Sequence, residues 1–202
     1  MNHQAKNLTR RQSGFSLLEL LIAMTICLVG MAAASTLLAS SFHVKMRENS
    51  RSDALAATQR TLNNMSREIA NAGYGLADNG VVVVDCSSTS IRVRANLNNN
   101  ASVNDTDEDI RYLYQSANRV IVRYDNSSGA STVVANNISS MTLTYRDIAG
   151  NAITNSAGYP TAETITIDVR VDLPASQDEP ASVVRLVSDV ALRNAPNTLD
   201  RS

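Results

Sequence analysis

A long apolar stretch near the start of the chain constrains the fold more than any other feature. Residues 15–42 are almost all apolar or small, and Glu19 is the one charged residue among them. At about 1.5 Å per residue, about 28 residues form a helix of about 42 Å. This length exceeds the roughly 30 Å hydrocarbon core of a bilayer. The sequence therefore predicts a helix that crosses a membrane once.

The basic residues before this stretch predict its orientation. Lys6, Arg10 and Arg11 precede the apolar residues, and positively charged flanks stay on the cytoplasmic side of a membrane. We therefore expect the N-terminus inside the cell and the larger, C-terminal part of the chain outside it.

Glu19 is the most informative residue of the apolar stretch. An ionised carboxylate inside a membrane span costs several kcal/mol, and such residues are functional candidates. One interpretation is that the Glu19 side chain reaches the lipid headgroups from near the end of the span. The interpretation we favour is that Glu19 gains a positive partner when subunits assemble. A free α-amino group would be that partner if the chain were cut before Phe15.

The segment Gly14–Leu20 (GFSLLEL) resembles the class III signal of type IV prepilins and pseudopilins. The resemblance implies that a membrane peptidase cuts after Gly14, that the new N-terminal residue Phe15 is methylated, and that Glu19 serves filament assembly. An ordinary secretory signal with a small-residue cleavage site at residues 32–35 is the alternative. It leaves both Glu19 and the continuation of the apolar residues to Leu38 unexplained.

Beyond Phe42 the apolar pattern becomes amphipathic and predicts that the helix continues to about Ala72. The chain has no proline before Pro160. A stripe with alternating spacings of three and four residues indicates one buried helix face, and we expect this face to pack on a sheet rather than in a free coiled coil. Gly73 follows the stripe and suits a helix C-cap. The stripe consists of Leu55, Thr58, Leu62, Met65, Ile69 and Ala72.

From Val81 the period changes from three-and-four to two, which predicts strands. The clearest alternation is in Glu163–Leu173, where every second side chain is aliphatic. Turn-forming residues separate short strands, which favours antiparallel neighbours. The predicted fold class is α+β, with a long N-terminal helix packed on a C-terminal antiparallel β-sheet domain. The predicted strands are Val81–Asp85, Ser90–Arg94, Ile110–Tyr114, Arg119–Tyr124, Ser131–Ala135, Ile138–Arg146, Glu163–Leu173 and Val183–Arg193.

The composition argues against an enzyme. The two histidines are His3 and His43, so a Ser-His-Asp or Cys-His arrangement cannot be built in the C-terminal domain. The sequence also has no phosphate-binding loop, CxxC pair or zinc spacing. Cys27 in the apolar stretch and Cys86 beyond it are not expected to pair, and Cys86 is expected to be a free, buried residue. We expect no catalytic residues and no cofactor.

Two further groups of residues are candidate binding sites. The acidic segment Asn104–Asp109 holds Asp105, Asp107 and Asp109 at alternate positions, which would suit calcium, but it lacks the glycine and distal glutamate of an EF-hand loop. We therefore expect a solvated acidic loop and no metal site. Surface tyrosines on predicted strands are expected to pack on the sheet rather than to bind glycan or DNA, and a net charge of −1 does not favour a nucleic-acid partner.

Looser patterns in residues 69–75, 119–146 and 190–194 resemble PilW-like minor pilins. This resemblance implies a minor type IV pilin that takes part in priming or capping a pilus. The implied partners are prepilin peptidase, other major and minor pilins, the inner-membrane assembly platform and the inner membrane. The alternatives are a minor, J-type pseudopilin of type II secretion and an adhesin at a pilus tip.

The resemblance also divides the chain. It implies a leader at residues 1–14, a transmembrane and filament-core helix at 15–42, its amphipathic continuation at 43–73, and a β-sheet domain at 74–202. It implies a single-pass inner-membrane protein with this domain in the periplasm, which later enters a pilus or pseudopilus.

Overall fold

The structure is a computed structural model, and it describes residues 14, 16–100, 102–173, 175 and 180–194. The chain divides into two compact units, Met1–Met46 and Arg47–Ser202. The predicted leader residues 1–13 and the predicted methylation site Phe15 lie outside the described residues.

One helix, α1 (Leu17–Ala70), extends over 54 residues. Its second half buries Thr58, Leu62, Met65 and Ile69, and Ala72 just after it is fully buried. These residues belong to the predicted stripe, so the amphipathic continuation of the helix is confirmed, with Leu55 half-buried at its beginning. Thr61 is an additional buried residue on this face.

The segment that follows the helix requires glycine at two positions, 73 and 80. Gly73 has a φ of +76° and Gly80 a φ of +72°, and both values lie in the left-handed region that glycine adopts without steric cost. The Gly73 N–H donates to the Arg94 carbonyl oxygen at 2.9 Å. A Cβ at Gly80 would lie 2.2 Å from the Gly73 nitrogen and 2.3 Å from the Arg94 oxygen. Gly73 has the left-handed conformation that a C-cap needs, but it lies three residues after the end of α1, and its N–H bonds to Arg94 rather than to a helix carbonyl. Gly80 packs against it.

We expect Gly80→Ala to lower the free energy of unfolding by about 2–5 kcal/mol, because a left-handed alanine costs about 1–2 kcal/mol and overpacking about 1–3 kcal/mol more. Gly129→Ala is a matched control, since Gly129 has the same φ of +72° but has no atom within 4 Å of an added Cβ. Urea unfolding of Arg47–Ser202 measures both variants. If the two variants lose equal amounts of unfolding free energy, the effect does not come from crowding at Gly80.

Within the described residues, seven antiparallel strands form two sheets. The first sheet has the order β1-β2-β3-β4, and the second has the order β5-β6-β7. The α+β architecture with antiparallel pairing is confirmed. The strands are β1 (Ser90–Arg94), β2 (Asp109–Gln115), β3 (Val120–Asp125), β4 (Ala130–Ala135), β5 (Ile138–Arg146), β6 (Thr164–Leu173) and β7 (Ser182–Ala191).

The predicted strand Val81–Asp85 is wrong. Val81 forms an isolated bridge with Val93, and Val83–Asp85 is a short 3-10 helix. Tertiary contacts of Asp85 explain the difference. Its carboxylate pairs with Arg92 and lies 3.5 Å from Arg111, and its carbonyl oxygen accepts from the Ser90 hydroxyl. These contacts draw the chain into a turn although its four valines favour a strand.

The core lies where the sheets meet and is closed by α1. The aliphatic residues of β6 are buried as the alternation predicts, from Ile165 to Leu173. Tyr145 on β5 stacks on Tyr159 with ring centroids 3.8 Å apart. Its hydroxyl donates to the Ser90 carbonyl oxygen on β1 at 3.3 Å. This tyrosine therefore ties the two sheets together.

Helix α1 is bonded to both sheets within the unit Arg47–Ser202. The Thr61 hydroxyl donates to the Val134 carbonyl oxygen on β4 at 2.7 Å. The Ser66 and Ser188 hydroxyl oxygens lie 3.0 Å apart, which joins the helix to β7. The buried stripe and these polar contacts together hold the second half of α1 on the domain.

Candidate functional site

The N-terminal end of α1 brings the described residues of the predicted processing and assembly site together. Gly14 is exposed, and a Cβ built on it would meet no atom within 4 Å. The Ser16 hydroxyl oxygen accepts from the Leu18 N–H at 3.3 Å, and the Ser16 carbonyl oxygen accepts from the Leu20 N–H at 3.1 Å. Ser16 therefore caps the helix, and the exposed Gly14 is open to another protein.

Glu19 lies in the first turn of α1 and is exposed. It has no hydrogen-bond or ion-pair partner among the residues that the structure describes. A carboxylate in the first turn is favoured by the helix dipole. Its position leaves the side chain available to a group on another chain.

The cap at Ser16 was missed in the sequence analysis, although a signal for it exists. Ser16 and Glu19 stand three residues apart at the start of an apolar stretch, which is the pattern of a helix N-terminus. The cap explains why the helix begins at Leu17.

The apolar half of α1 exposes its large side chains all around the helix. Leu17, Leu21, Ile26 and Val29 are between 61% and 88% exposed. It is the one helix, within the part of the chain that the structure describes, that is long and apolar enough to cross a membrane, and none of its apolar window is buried within the chain. A surface of this kind needs lipid or other apolar helices around it.

Glu68 anchors α1 to the first sheet. Its carboxylate accepts from the Tyr112 hydroxyl at 2.8 Å and from the Arg123 guanidinium at 3.0 Å. Burial, followed by the nearby Glu68 charge, raises the pKa of Tyr112 well above its usual value, so this phenol remains a neutral donor. The sequence analysis did not find this site, because Glu68 lies beside the apolar stripe and its partners are distant in the sequence.

The carboxylates of the acidic segment have separate partners. Asp109 bonds to Arg92 at 2.7 Å and to Arg94 at 2.8 Å, and Asp107 bonds to Arg123 at 2.6 Å. Asp105 accepts from the side chains of two asparagines at positions 98 and 100. No cluster of three potential metal-ligating residues occurs in the described ranges. Internal ion pairs and hydrogen bonds hold the segment. Because Glu108 and Asp109 are buried, the expectation of a solvated acidic loop is wrong for these two residues.

The Asp109 carboxylate makes stability depend on pH. Burial acts to raise its pKa, but hydrogen bonds from Arg92 and then Arg94 outweigh burial, and the net pKa is lowered. A lowered folded-state pKa stabilises the fold above the unfolded pKa of about 3.9, and this contribution is lost as pH falls through the folded pKa.

We expect Asp109→Asn to lower the unfolding free energy of Arg47–Ser202 by about 2 kcal/mol at pH 7. This value lies within the range of about 1.5–3 kcal/mol that hydrogen bonds to charged groups contribute. The difference from the parent should shrink as pH falls below about 3.9. Urea unfolding at several pH values measures it, with Asp53→Asn on an exposed helix position as the control. A difference that is constant over this pH range would exclude the ion pairs as its cause.

The described residues with reactive groups do not form a catalytic arrangement. Cys86 is free and buried, as predicted, and Cys27 is free and exposed on α1. Burial is the main cause that raises the pKa of the Cys86 thiol, which disfavours the reactive thiolate. Cys86 therefore acts as a small core residue.

Comparison with known proteins finds a family motif in the N-terminal part of the chain. The family model for the prokaryotic N-terminal methylation motif matches residues 9–35. No curated protein matches the chain. The motif and the exposed apolar helix fit a membrane-anchored, pilin-like protein. The chain carries the motif that is typical of type IV prepilins and pseudopilins, a structural rather than a catalytic family, and the motif suggests processing by prepilin peptidase and assembly with other pilins.

Proposed function

We propose that the protein is a minor type IV pilin, a filament subunit that takes part in priming the pilus or in its tip complex. The single observation that carries this proposal is the matched methylation motif at the start of an exposed, membrane-length helix. The looser PilW-like patterns of residues 69–75, 119–146 and 190–194 favour a minor over a major pilin.

Processing is the first step of the proposed function. Prepilin peptidase cuts between Gly14 and Phe15, removes the leader at residues 1–14, and the new amino group of Phe15 is methylated. Residues 15–42 hold the protein in the inner membrane, and residues 43–73 continue the helix outside it. The β-sheet domain at 74–202 lies in the periplasm. The exposed Gly14 supports this proposal, because a peptidase needs an accessible bond.

Assembly is the second step and depends on Glu19. The Glu19 carboxylate pairs with the α-amino group of Phe15 on the same or a neighbouring subunit. Breaking an ion pair in apolar surroundings by removal of one partner costs about 3–5 kcal/mol. The pair therefore sets the axial register of one helix against the next. The apolar helices bundle in the filament interior and the β-sheet domains cover the outside.

A minor, J-type pseudopilin of a type II secretion system is the second candidate. The methylation motif is typical of the subunits of both type IV pili and type II secretion systems. The same apolar helix and Glu19 would serve assembly in either system. An adhesin at the pilus tip is a third class, which binding of glycan or DNA by the isolated domain would support.

A deletion strain separates these candidates. Surface pili, twitching motility and secreted protein are measured in the same strain, and expression of the parent protein restores the function that was lost. Loss of pili with normal secretion supports the minor pilin, whereas loss of secretion with normal pili identifies a pseudopilin. If both functions persist, the filament-priming role is wrong and the adhesin class remains.

A further inference from the structure

Each of the two sheets has two outer strands, and the outer edges of these strands differ in whether another segment bonds to them. The outer edge of β1 is covered by the preceding segment, because the Val82 N–H donates to the Arg92 oxygen at 3.0 Å and the Arg94 N–H donates to the Gly80 oxygen at 2.8 Å. The outer edge of β5 is covered as well. The Leu143 N–H donates to the Ser88 oxygen at 2.7 Å, and other segments bond to both ends of this strand.

The outer edge of β7 is open over residues 183–191 in the part of the chain that the structure describes. Just after the strand, the Arg193 N–H donates to the Ala70 oxygen at the end of α1 at 3.3 Å. The Leu192 N–H donates to the Glu163 oxygen beside β6, so even-numbered residues turn their backbone groups towards β6. Odd-numbered residues therefore turn theirs towards the free edge. Ten residues of β7 pair with β6 without a bulge, and Val183 and Val187 are 58% and 47% exposed. A long, regular edge of this kind is a template for another strand.

The charges of β7 do not protect this edge. Arg185 is held by Asp168 on β6 at 2.8 Å, and Asp189 accepts from the Thr166 hydroxyl at 2.6 Å. Both charged groups are thus turned to the neighbouring strand. Natural edge strands are usually kept apart by free charges, prolines or bulges, and β7 has none of these among its described residues.

The outer edge of β4 is the second open edge of the described residues. The Asn126 N–H donates to the Asp109 oxygen, so Arg123 and Asp125 turn towards β4. Their pairing with Thr132 and Ala130 leaves Ser131 and Val133 with backbone groups turned outward. Val133 is 52% exposed, whereas the next carbonyl group, that of Val134, is already bonded to Thr61.

The two open edges run in opposite directions along α1. The helix meets β7 at Ser182 through Arg51 and at Ser188 through Ser66, so β7 runs in the direction of the helix.

Along the first sheet the order is reversed. Thr61 bonds to Val134, and Glu68, further along the helix, bonds to Arg123, which pairs with Thr132 on β4. β4 therefore runs against the helix.

We propose that β7 of one copy of this chain pairs with β4 of a neighbouring copy. When two copies lie with their helices parallel, β7 and the neighbour's β4 run antiparallel, the arrangement that forms a ladder directly. This inference rests on the proposed function, because insertion into one membrane and one filament gives the copies a common orientation. Pairing of β7 with β7 about a two-fold axis would instead set the helices antiparallel.

The side chains of the two strands favour one register of this ladder. Val187 opposite Val133 brings two exposed valines together, and it sets Ser131 opposite Asp189, where a hydroxyl can donate to a carboxylate. The contact uses different surfaces on the two copies, so each added copy leaves one open β7 edge and one open β4 edge.

Cysteine cross-linking of the full chain in membranes tests the pairing. All variants carry Cys27→Ala, because Cys27 is exposed, and they retain the buried Cys86. Differently tagged Val187→Cys and Val133→Cys variants are expressed together and treated with a short bis-maleimide. Directly opposed residues are about 5.5 Å apart between Cα atoms. Thr142→Cys is the matched control, since Thr142 is exposed and lies in the same row of the sheet, two strands inward from Val187.

We expect at least about tenfold more cross-linked product from Val187→Cys with Val133→Cys than from Thr142→Cys with Val133→Cys, because apposed thiols react at a raised effective concentration. A cross-link of Val187→Cys to itself, a cross-link to a different protein, or product no greater than the control overturns the proposal. N-terminal processing and filament incorporation of the same variants are measured separately. Processed and incorporated variants without the cross-link contradict the β7–β4 pairing alone, whereas a failure of incorporation contradicts the proposed function.

Discussion

Glu19→Ala is expected to be cleaved and inserted into the membrane normally but to enter filaments at least about a hundredfold less than the parent. Removal of one partner of an ion pair in apolar surroundings costs about 3–5 kcal/mol, and about 1.4 kcal/mol corresponds to a factor of ten. The carboxylate has no partner among the described residues of its own chain, so its loss should not disturb the isolated subunit.

The measurement is the amount of protein in sheared filaments relative to the membrane fraction, with the N-terminus of the membrane form determined by mass spectrometry. Glu19→Gln keeps the shape of the side chain but not its charge, and it should fail in the same way. Glu48→Ala, at an exposed position of the same helix, serves as the control for loss of a carboxylate. Normal incorporation of Glu19→Ala would contradict the assembly role.

Gly14→Leu is expected to lower processing by prepilin peptidase by about fivefold to about 150-fold. An added Cβ at Gly14 meets no atom of its own chain within 4 Å, so the substitution leaves the fold of the described residues unchanged. Its effect must then arise in the peptidase, where a side chain forced into a site shaped for glycine costs about 1–3 kcal/mol.

Gly30→Ala is the matched control, because Gly30 also has no atom within 4 Å of an added Cβ but lies within the helix. Cleavage is followed by the change in gel mobility and by the mass of the N-terminal peptide, which also shows whether Phe15 is methylated. If Gly14→Leu is processed at the parental rate, the cleavage site has been placed wrongly.

The strands that the sequence predicted well are those whose pattern is local. Glu163–Leu173 alternates strictly, and one face of β6 is buried as expected. The predicted bounds of β1 and β5 agree with the structure. Alternation predicts a strand because each side chain takes the opposite face of the sheet from the one before it.

The missed features depend on residues that are distant in the chain. Val81–Asp85 has the composition of a strand, but the contacts of Asp85 with Arg92 and Arg111 turn it into a short helix. Glu68 resembles a solvated helix residue, yet it bonds to Tyr112 and Arg123. The local pattern of apolar residues does not indicate such pairs, because their partners lie on other strands.

The sequence by itself determined the membrane-length helix, the motif at Gly14–Leu20, the amphipathic continuation of the helix and the antiparallel character of the domain. Each of these features follows from the type and spacing of residues that are close together in the sequence. The tertiary structure alone decided that the strands divide into two sheets and that the acidic segment is held by internal ion pairs. It also decided that, among the described residues, the edges of β4 and β7 stay open. These features arise from the pairing of distant segments, which hydrophobic periodicity does not encode.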